Sequence, residues 1–211
     1  MELMFIEAKS DADIKKAVEN AIRLLPKKVG IVTTAQHKHK LKEIKKILEN
    51  KGIKAEIGGQ ILGCNASAAK KIKADTILYV GSGRFHPIEV ALETGKKVVM
   101  ANPLTNETKV LEKDIVEKLQ KQQKGALMKF LASDNIGIIV STKSGQEKLK
   151  KAMELKKRLK NKNCYIFMAD TINPAEFENF PFIESWINTA CPRFADEKKG
   201  VVNYEVVEKS L

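Results

Sequence analysis

The sequence comprises 211 residues, carries a formal net charge of +12 and is 43% hydrophobic but only 6% aromatic. This length allows one large domain or two domains of about 100 residues each. No run of about 18 apolar residues is present and the N-terminus is acidic, so we expect neither a membrane span nor a signal peptide, and a cytoplasmic location.

The first half of the chain alternates predicted strands and helices. Its N-terminus predicts a strand, Leu3–Ala8, and then a helix, Asp11–Leu24. The hydrophobic pattern next predicts strands at Gly30–Thr33, at Ala55–Ile57, within Ala74–Pro87 and at Lys97–Ala101. A helix follows the first of these strands, with one face formed by Leu41, Ile44, Ile47 and Leu48, and a helix-like segment, Ile88–Gly95, precedes the last.

The second half of the chain begins with a long basic segment, Glu107–Leu131, which is predicted to be helical. Strands are then predicted at Gly137–Val140, at Cys164–Met168 and within Phe182–Arg193. The helix between the first two has a face formed by Leu149, Ala152, Met153 and Leu159. The tail, Gly200–Leu211, either docks as an edge strand or stays mobile.

These two halves repeat one another in pattern and in spacing. The distance along the chain from Gly30 to Gly81 differs by only two residues from that between Gly137 and Ala190. Strands that alternate with helices imply parallel sheets joined by right-handed crossovers. We therefore predict an α/β fold of two repeated units, residues 1–110 and 111–211, each a parallel β-sheet flanked by α-helices.

The positive charge lies largely in helices where lysine and glutamate surround an apolar stripe. This pattern favours a solvated helix face, although it also suits an acidic or nucleic-acid-bearing partner. No aromatic residues alternate with the lysines, and no RNA-binding motif is recognisable. Direct nucleic-acid binding is therefore disfavoured, and a basic RNA-binding module is a third hypothesis, to be tested by salt-dependent binding.

Polar, non-helical residues collect where the predicted strands end, in the segments 33–37, 81–86, 141–146 and 188–193. Parallel sheets bind ligands at this edge, so the pattern predicts a small-molecule site. Gly81 and Gly83 would let backbone N–H groups approach an anionic group. The loop that contains them is neither a P-loop nor a dinucleotide-binding fingerprint.

The three cysteines differ in their surroundings. Cys164 lies in the apolar run CYIFMA and is predicted to be a core strand residue. Cys64 lies among glycines and small polar residues, and Cys191 follows a strand end, so both are predicted to be accessible. Their spacing does not suit zinc. Two uses remain open: ligation of an iron–sulfur cluster, or a Cys–His nucleophile.

Four segments resemble, in the same order, those of the archaeal diphthamide synthase family, 2-(3-amino-3-carboxypropyl)histidine synthase. They are GGQILGC (Gly58–Cys64), YVGSGRFHPIEVAL (Tyr79–Leu92), STKSGQ (Ser141–Gln146) and INTACPR (Ile187–Arg193). Two further segments, Ile6–Asp13 and Val29–Leu41, are similar to the middle domain of that family. The resemblance covers nearly the whole chain.

The resemblance implies the first enzyme of diphthamide biosynthesis. In that family three α/β domains each give one cysteine to a [4Fe–4S] cluster. The cluster cleaves S-adenosylmethionine to a 3-amino-3-carboxypropyl radical. This radical adds to a histidine of the translation elongation factor. Cys64 and Cys191 match two cluster ligands, and no side chain is implied as catalytic. The implied contacts to S-adenosylmethionine are Gly81, Ser82, Gly83, Arg84, His86, Ser141, Gln146 and Arg193.

The family's first domain, with its own cysteine, has no counterpart in these residues. We expect a separate polypeptide to carry that domain, an enzyme that is inactive without it, and a homo- or hetero-oligomer. The alternatives are a fragment, a protein that has left cluster chemistry, or a non-catalytic accessory or binding subunit of the same pathway. Retention of both cysteines, Gln146 and Arg193 favours the enzyme.

Overall fold

The computed structural model describes residues 4, 6, 8–197 and 200–211. The chain falls into two units, Met1–Val116 and Glu117–Leu211. The boundary between them lies within a helix, a few residues beyond the predicted position at residue 110. Each unit has its own sheet and its own hydrophobic core.

Unit 1 is built on a five-stranded sheet. Its strands are β1 (Lys28–Thr33), β2 (Lys54–Gln60), β3 (Thr76–Val80), β4 (Lys97–Ala101) and β5 (Thr108–Val110), in the order β2-β1-β3-β4-β5. The first four are parallel, and β5 runs antiparallel to β4 at one edge. The helices are α1 (Lys15–Ala21), α2 (Leu41–Glu49), α3 (Ser67–Lys70) and α4 (Phe85–Thr94).

The central strands of unit 1 are apolar because helices cover both faces of the sheet. Every residue of β3 is buried, as are all residues of β1 except the first. Strands buried on both faces read as continuous hydrophobic runs rather than alternating ones, which is the pattern seen in the sequence. Helix α4 ends at Gly95, whose φ of 67° is the left-handed conformation that suits glycine at a helix C-terminus.

Unit 2 is built on a four-stranded, fully parallel sheet. Its strands are β6 (Asn135–Ser141), β7 (Asn163–Ala169), β8 (Ser185–Asn188) and β9 (Val201–Asn203), in the order β7-β6-β8-β9. The helices are α5 (Lys113–Ala132), which begins in unit 1, α6 (Leu149–Arg158), α7 (Arg193–Glu197) and α8 (Tyr204–Glu208).

One face of the unit 2 sheet carries an aromatic cluster centred on Trp186. Its ring stacks on Phe177 at 4.2 Å between centroids and also contacts Phe167 and Phe180. The ring lies directly over Gly137 of β6, where a Cβ atom would come within 2.4 Å of it. Gly137 is therefore required by close packing rather than by its backbone conformation.

The predicted fold class, two repeated α/β units with parallel sheets flanked by helices, is confirmed, with the antiparallel β5 as the one departure among the described strands. The C-terminal tail forms β9 and α8, so the edge-strand alternative is the one observed. None of the helices described is both long and apolar enough to cross a membrane.

Three local predictions are corrected or incomplete. The segment Glu107–Leu131 is not helical throughout, because its start forms β5 and the helix begins only at Lys113. Met153 is 47% exposed, and Leu155 takes the core position on α6. The strand predicted at Leu3–Ala8 lies partly outside the described residues, and its described members, at 4, 6 and 8, belong to none of the strands.

Candidate functional site

The glycine-rich loop of unit 1 leaves the carboxyl end of β3 and leads into α4. The Gly81 N–H donates to the Ala101 carbonyl at 3.0 Å, which ties the loop to the neighbouring strand β4. Beyond it, residues 82–84 are exposed, and Gly83 has a φ of 75°, a conformation that favours glycine. The loop is thus anchored at its start and open to solvent at its tip.

Tyr79 supports this loop from below. Its hydroxyl donates to the Ser82 carbonyl at 3.0 Å, and a Cβ atom at Gly81 would lie 2.6 Å from that hydroxyl oxygen. Tyr79 is fully buried, and burial raises its pKa to about 12, so the phenol keeps its proton and acts as a donor. The His86 ring stacks on Tyr79 with centroids 6.1 Å apart. Burial lowers the pKa of His86, which favours the neutral imidazole.

Cys64 lies in a turn after β2 that is closed by a pair of backbone hydrogen bonds between Leu62 and Asn65. The thiol is free and exposed, as predicted. The ring of Phe85, the first residue of α4, packs directly against the backbone of Gly63, where a Cβ atom would be only 1.7 Å from it. Phe85 therefore joins the cysteine turn to the glycine-rich loop within unit 1.

A cleft of about 200 Å³ opens beside the glycine-rich loop. It is lined by Gly81, Gly83, Arg84, Met100, Asn102, Glu107 and Lys109. Lys109 and Glu107 are within 3.7 Å of each other, so the cleft offers cationic groups and one carboxylate. A guanidinium such as Arg84 can bind a carboxylate through two hydrogen bonds. The cleft therefore suits a small ligand that carries both charges.

Sequence reasoning missed the contributions of Asn102, Glu107 and Lys109 to this cleft. The last two belong to β5 or its approach, which the sequence predicts as helix. Asn102 directly follows β4, and a polar residue at the carboxyl end of a parallel strand is a signal that could have identified it.

The cysteine loop of unit 2 follows β8 and leads into α7. Cys191 is a partly buried free thiol, and Arg193 is exposed at the first position of α7. The Thr189 hydroxyl donates to the Ile139 carbonyl at 2.7 Å, tying the start of the loop to β6. The Asn188 amide donates to the Cys191 carbonyl at 2.8 Å. The backbone around the thiol is thus held by hydrogen bonds from the sheet.

Ser141 is the last residue of β6, and Gln146 lies in the loop that follows, at the same edge of the unit 2 sheet. Ser141 is buried, and its hydroxyl accepts from the Lys143 N–H at 3.2 Å, which helps to close the turn. Gln146 is exposed, and its N–H donates to the Lys143 carbonyl. Gln146 is therefore available to a ligand through its side chain, whereas Ser141 lies beneath the loop.

Cys164 is buried in β7, and burial raises the pKa of its thiol, in agreement with its predicted place in the core. Within the described part of the chain, no group of three or more Cys, His, Asp or Glu side chains is placed to hold a metal ion.

His37, in the short helical turn after β1, is also buried, and its Nδ1 atom has no hydrogen-bond partner among the described residues.

Comparison with known proteins agrees across sequence and structure. A family model described as "Putative diphthamide synthesis protein" matches residues 1–199. The 2-(3-amino-3-carboxypropyl)histidine synthase of Pyrococcus horikoshii is 34% identical over 204 residues, covering 90% of this chain and 58% of that protein. The enzyme of the same name from Methanocaldococcus jannaschii is 32% identical over 185 residues, covering 86% of this chain and 49% of its own.

The solved structure of Dph2 from Pyrococcus horikoshii with a 4Fe–4S cluster is also similar. It superposes with a TM-score of 0.82 at 32% identity, over 95% of this chain and 63% of that one. The chain therefore spans less than two thirds of the length of these relatives.

Proposed function

The chain belongs to the diphthamide synthesis protein family, and from that membership we propose that it forms part of a 3-amino-3-carboxypropyl transferase. The enzyme would act in the cytoplasm on a histidine of the translation elongation factor, in the first step of diphthamide biosynthesis. The names of the relatives support this pathway, and the solved relative Dph2 has a 4Fe–4S cluster.

The observation that carries the proposal is one accessible thiol in each unit. Cys64 and Cys191 are both free, and each lies beyond the carboxyl end of a strand of its own sheet. Iron–sulfur clusters are held by cysteine thiolates, so these two residues fit as ligands, whereas the buried Cys164 does not. We propose that a third thiolate comes from a separate polypeptide with a further α/β unit.

The remaining site residues would bind and orient S-adenosylmethionine. Arg84 or Arg193 can hold its carboxylate, and Glu107 can accept from its ammonium group. His86 is kept neutral by burial, so it would place no positive charge against the sulfonium. When bound, the cluster would supply the electron that cleaves a carbon–sulfur bond of this ligand, and the protein would orient that bond and exclude water.

The proposal is tested by purifying the chain without oxygen, together with a polypeptide that carries the family's first domain. After reconstitution we expect bound iron and sulfide and, once a chemical reductant has reduced the cluster, the release of methylthioadenosine from S-adenosylmethionine. Cys64→Ala and Cys191→Ala should abolish both, whereas the matched control Cys164→Ala should retain them. A stable complex that binds no iron would contradict the proposal and favour a non-catalytic subunit.

A further inference from the structure

Two buried amide side chains meet beneath the cysteine loop of unit 2. Asn188 ends β8 and is 1% exposed, and Asn203 ends the neighbouring parallel strand β9 and is 5% exposed. The Asn188 Nδ2 atom donates to the Asn203 Oδ1 atom at 2.8 Å. A buried amide is costly unless its hydrogen-bonding groups are satisfied, so the remaining partners of this pair are informative.

The remaining hydrogen bonds all go to the backbone of three consecutive loop residues. The Ala190 N–H donates to the Asn188 Oδ1 atom at 3.0 Å, and the Asn188 Nδ2 atom donates to the Cys191 carbonyl at 2.8 Å. The Asn203 Nδ2 atom donates to the Pro192 carbonyl at 3.1 Å. The same two carbonyls also accept from the Phe194 and Ala195 N–H groups at the start of α7, but the asparagines tie them to the ends of β8 and β9.

Unit 1 has an equivalent of the Asn188 bond to the loop but not of the Asn203 bond. Ile77 pairs with Gly30, and Trp186 pairs with Gly137, so the strand register makes Tyr79 the counterpart of Asn188. Each donates to the carbonyl of the residue three positions later, which is Ser82 in unit 1 and Cys191 in unit 2. Asn203 pairs with Asn188 as Met100 pairs with Tyr79, so the second amide of unit 2 stands where unit 1 has a methionine.

We propose that Asn188 and Asn203 are positioning residues that fix the backbone of the loop 189–193 and so set the direction of the Cys191 thiol. This inference rests on the proposed role of Cys191 as a cluster ligand. Neither asparagine would contact the cluster itself. Their effect is to present the thiolate in one conformation before the cluster is bound.

The test compares Asn188→Ala and Asn203→Ala in the full chain. Asn163→Ala is the control for an asparagine pair away from the loop, because Asn163 donates to Asn135 at 3.2 Å in an exposed pair at the opposite edge of the same sheet. Hydrogen exchange of residues 190–195 reports the loop directly, since the N–H groups of Ala190, Phe194 and Ala195 bond within it. Alkylation of Cys191 is measured against Cys64 in the same molecule.

With either variant we expect loop exchange to rise about tenfold, because hydrogen bonds that hold the loop closed are lost. Cys191 should be alkylated several-fold faster relative to Cys64, with the control unchanged. In the reconstituted complex, the electron paramagnetic resonance g values of the reduced cluster should shift in Asn203→Ala but not in Asn163→Ala. Should Asn188→Ala fail to fold, Asn203→Ala decides alone.

Unchanged hydrogen exchange in the loop would overturn the inference. An increase in exchange that is equally large in β6 and β8 would also overturn it, because it would indicate general destabilisation. The proposed function fails separately: iron retained in Cys191→Ala rejects it even when Asn203→Ala loosens the loop. Iron lost in Cys191→Ala with an unchanged loop in Asn203→Ala rejects only the positioning role.

Discussion

The loops that follow β3 and β8 occupy the same place in the two repeats, yet only the second of them carries a cysteine. In unit 1 the position of Cys191 is taken by Ser82, and Cys64 lies instead in the turn after β2, where Phe85 packs against the neighbouring Gly63. In unit 2 the cysteine is in the loop itself, above two buried amides. The cysteine-bearing segment is therefore held by ring packing in unit 1 and by hydrogen bonds in unit 2, at two different positions of the fold.

The largest expected effect comes from removing the close contact in unit 1. In Gly63→Ala the new Cβ atom would lie 1.7 Å from the Phe85 ring, so the ring must move. We expect the free energy of unfolding to fall by about 3 kcal/mol, near the upper end for overpacking. Urea unfolding measures this, with Gly63→Ala/Phe85→Ala as the variant expected to recover part of the loss.

Gly125→Ala is the matched control for this substitution. Gly125 lies within α5, and a Cβ atom there would have nothing within 4 Å. The variant should gain up to about 1 kcal/mol from helix propensity. Equal losses in Gly63→Ala and Gly125→Ala would show that the Phe85 contact is not what holds the Cys64 turn.

A second, smaller loss of stability is expected at Gly30 and Gly137, the equivalent glycines of the two central strands, and it should differ between them. In Gly137→Ala the Cβ atom meets the Trp186 ring at 2.4 Å, and that ring is held among three phenylalanines. In Gly30→Ala it meets, at 2.3 Å and 2.7 Å, the Cγ2 and Cδ1 atoms of Ile72, a buried side chain that is smaller than the indole ring. We expect losses of about 2 kcal/mol and about 1 kcal/mol respectively. Thermal unfolding of the two variants checks the order, and the reverse order would contradict it.

The smallest effect concerns the phenol beneath the glycine-rich loop. Tyr79→Phe removes the hydrogen bond to Ser82 and should cost about 1 kcal/mol at pH 8. Burial raises the pKa of Tyr79 in the folded state to about 12 from its ordinary 10.0, so above pH 10 the unfolded chain loses this proton first. Wild-type stability should therefore fall between pH 10 and 12 by a contribution that Tyr79→Phe lacks.

This pH dependence is measured by urea unfolding of wild type and Tyr79→Phe at pH 8 and pH 11. The stability advantage of the wild type should shrink at the higher pH. Tyr165→Phe is the control, since Tyr165 is 41% exposed on β7 and should change stability little. An advantage that stays constant with pH would mean that Tyr79 is not buried as described.

Much of the fold follows from hydrophobic pattern alone. The strand predicted at Lys97–Ala101 matches β4 at both ends, because its apolar run is bounded by polar residues and buried on both faces. β5 was missed because three residues, Thr-Lys-Val, are too short and too polar to show a period. Met153 is predicted to lie in the core because its spacing fits the apolar stripe of the helix. In the structure, the buried residues of α6 are Ala152 and Leu155 instead.

Site residues could be predicted from the sequence where their neighbours in the chain determine whether they are exposed. The exposure of Cys64 and the burial of Cys164 both follow from their neighbours in the sequence. The roles of Asn203 and Lys109 do not, because each depends on a strand that docks beside a distant loop. Asn203 is 15 residues from Asn188, and no local sequence pattern predicts a hydrogen bond across that separation.

In both units a residue that holds the cysteine segment comes later in the chain than the cysteine itself, and this order matters during synthesis. Phe85 follows Cys64, and Asn203 follows Cys191, so on the ribosome each thiol emerges before one of the residues that hold its segment in place. A nascent chain that ends before β9 would carry Cys191 on a loop that has the hydrogen bond from Asn188 but lacks the one from Asn203. Both cysteine segments therefore reach their final setting only after residues that follow them have been made.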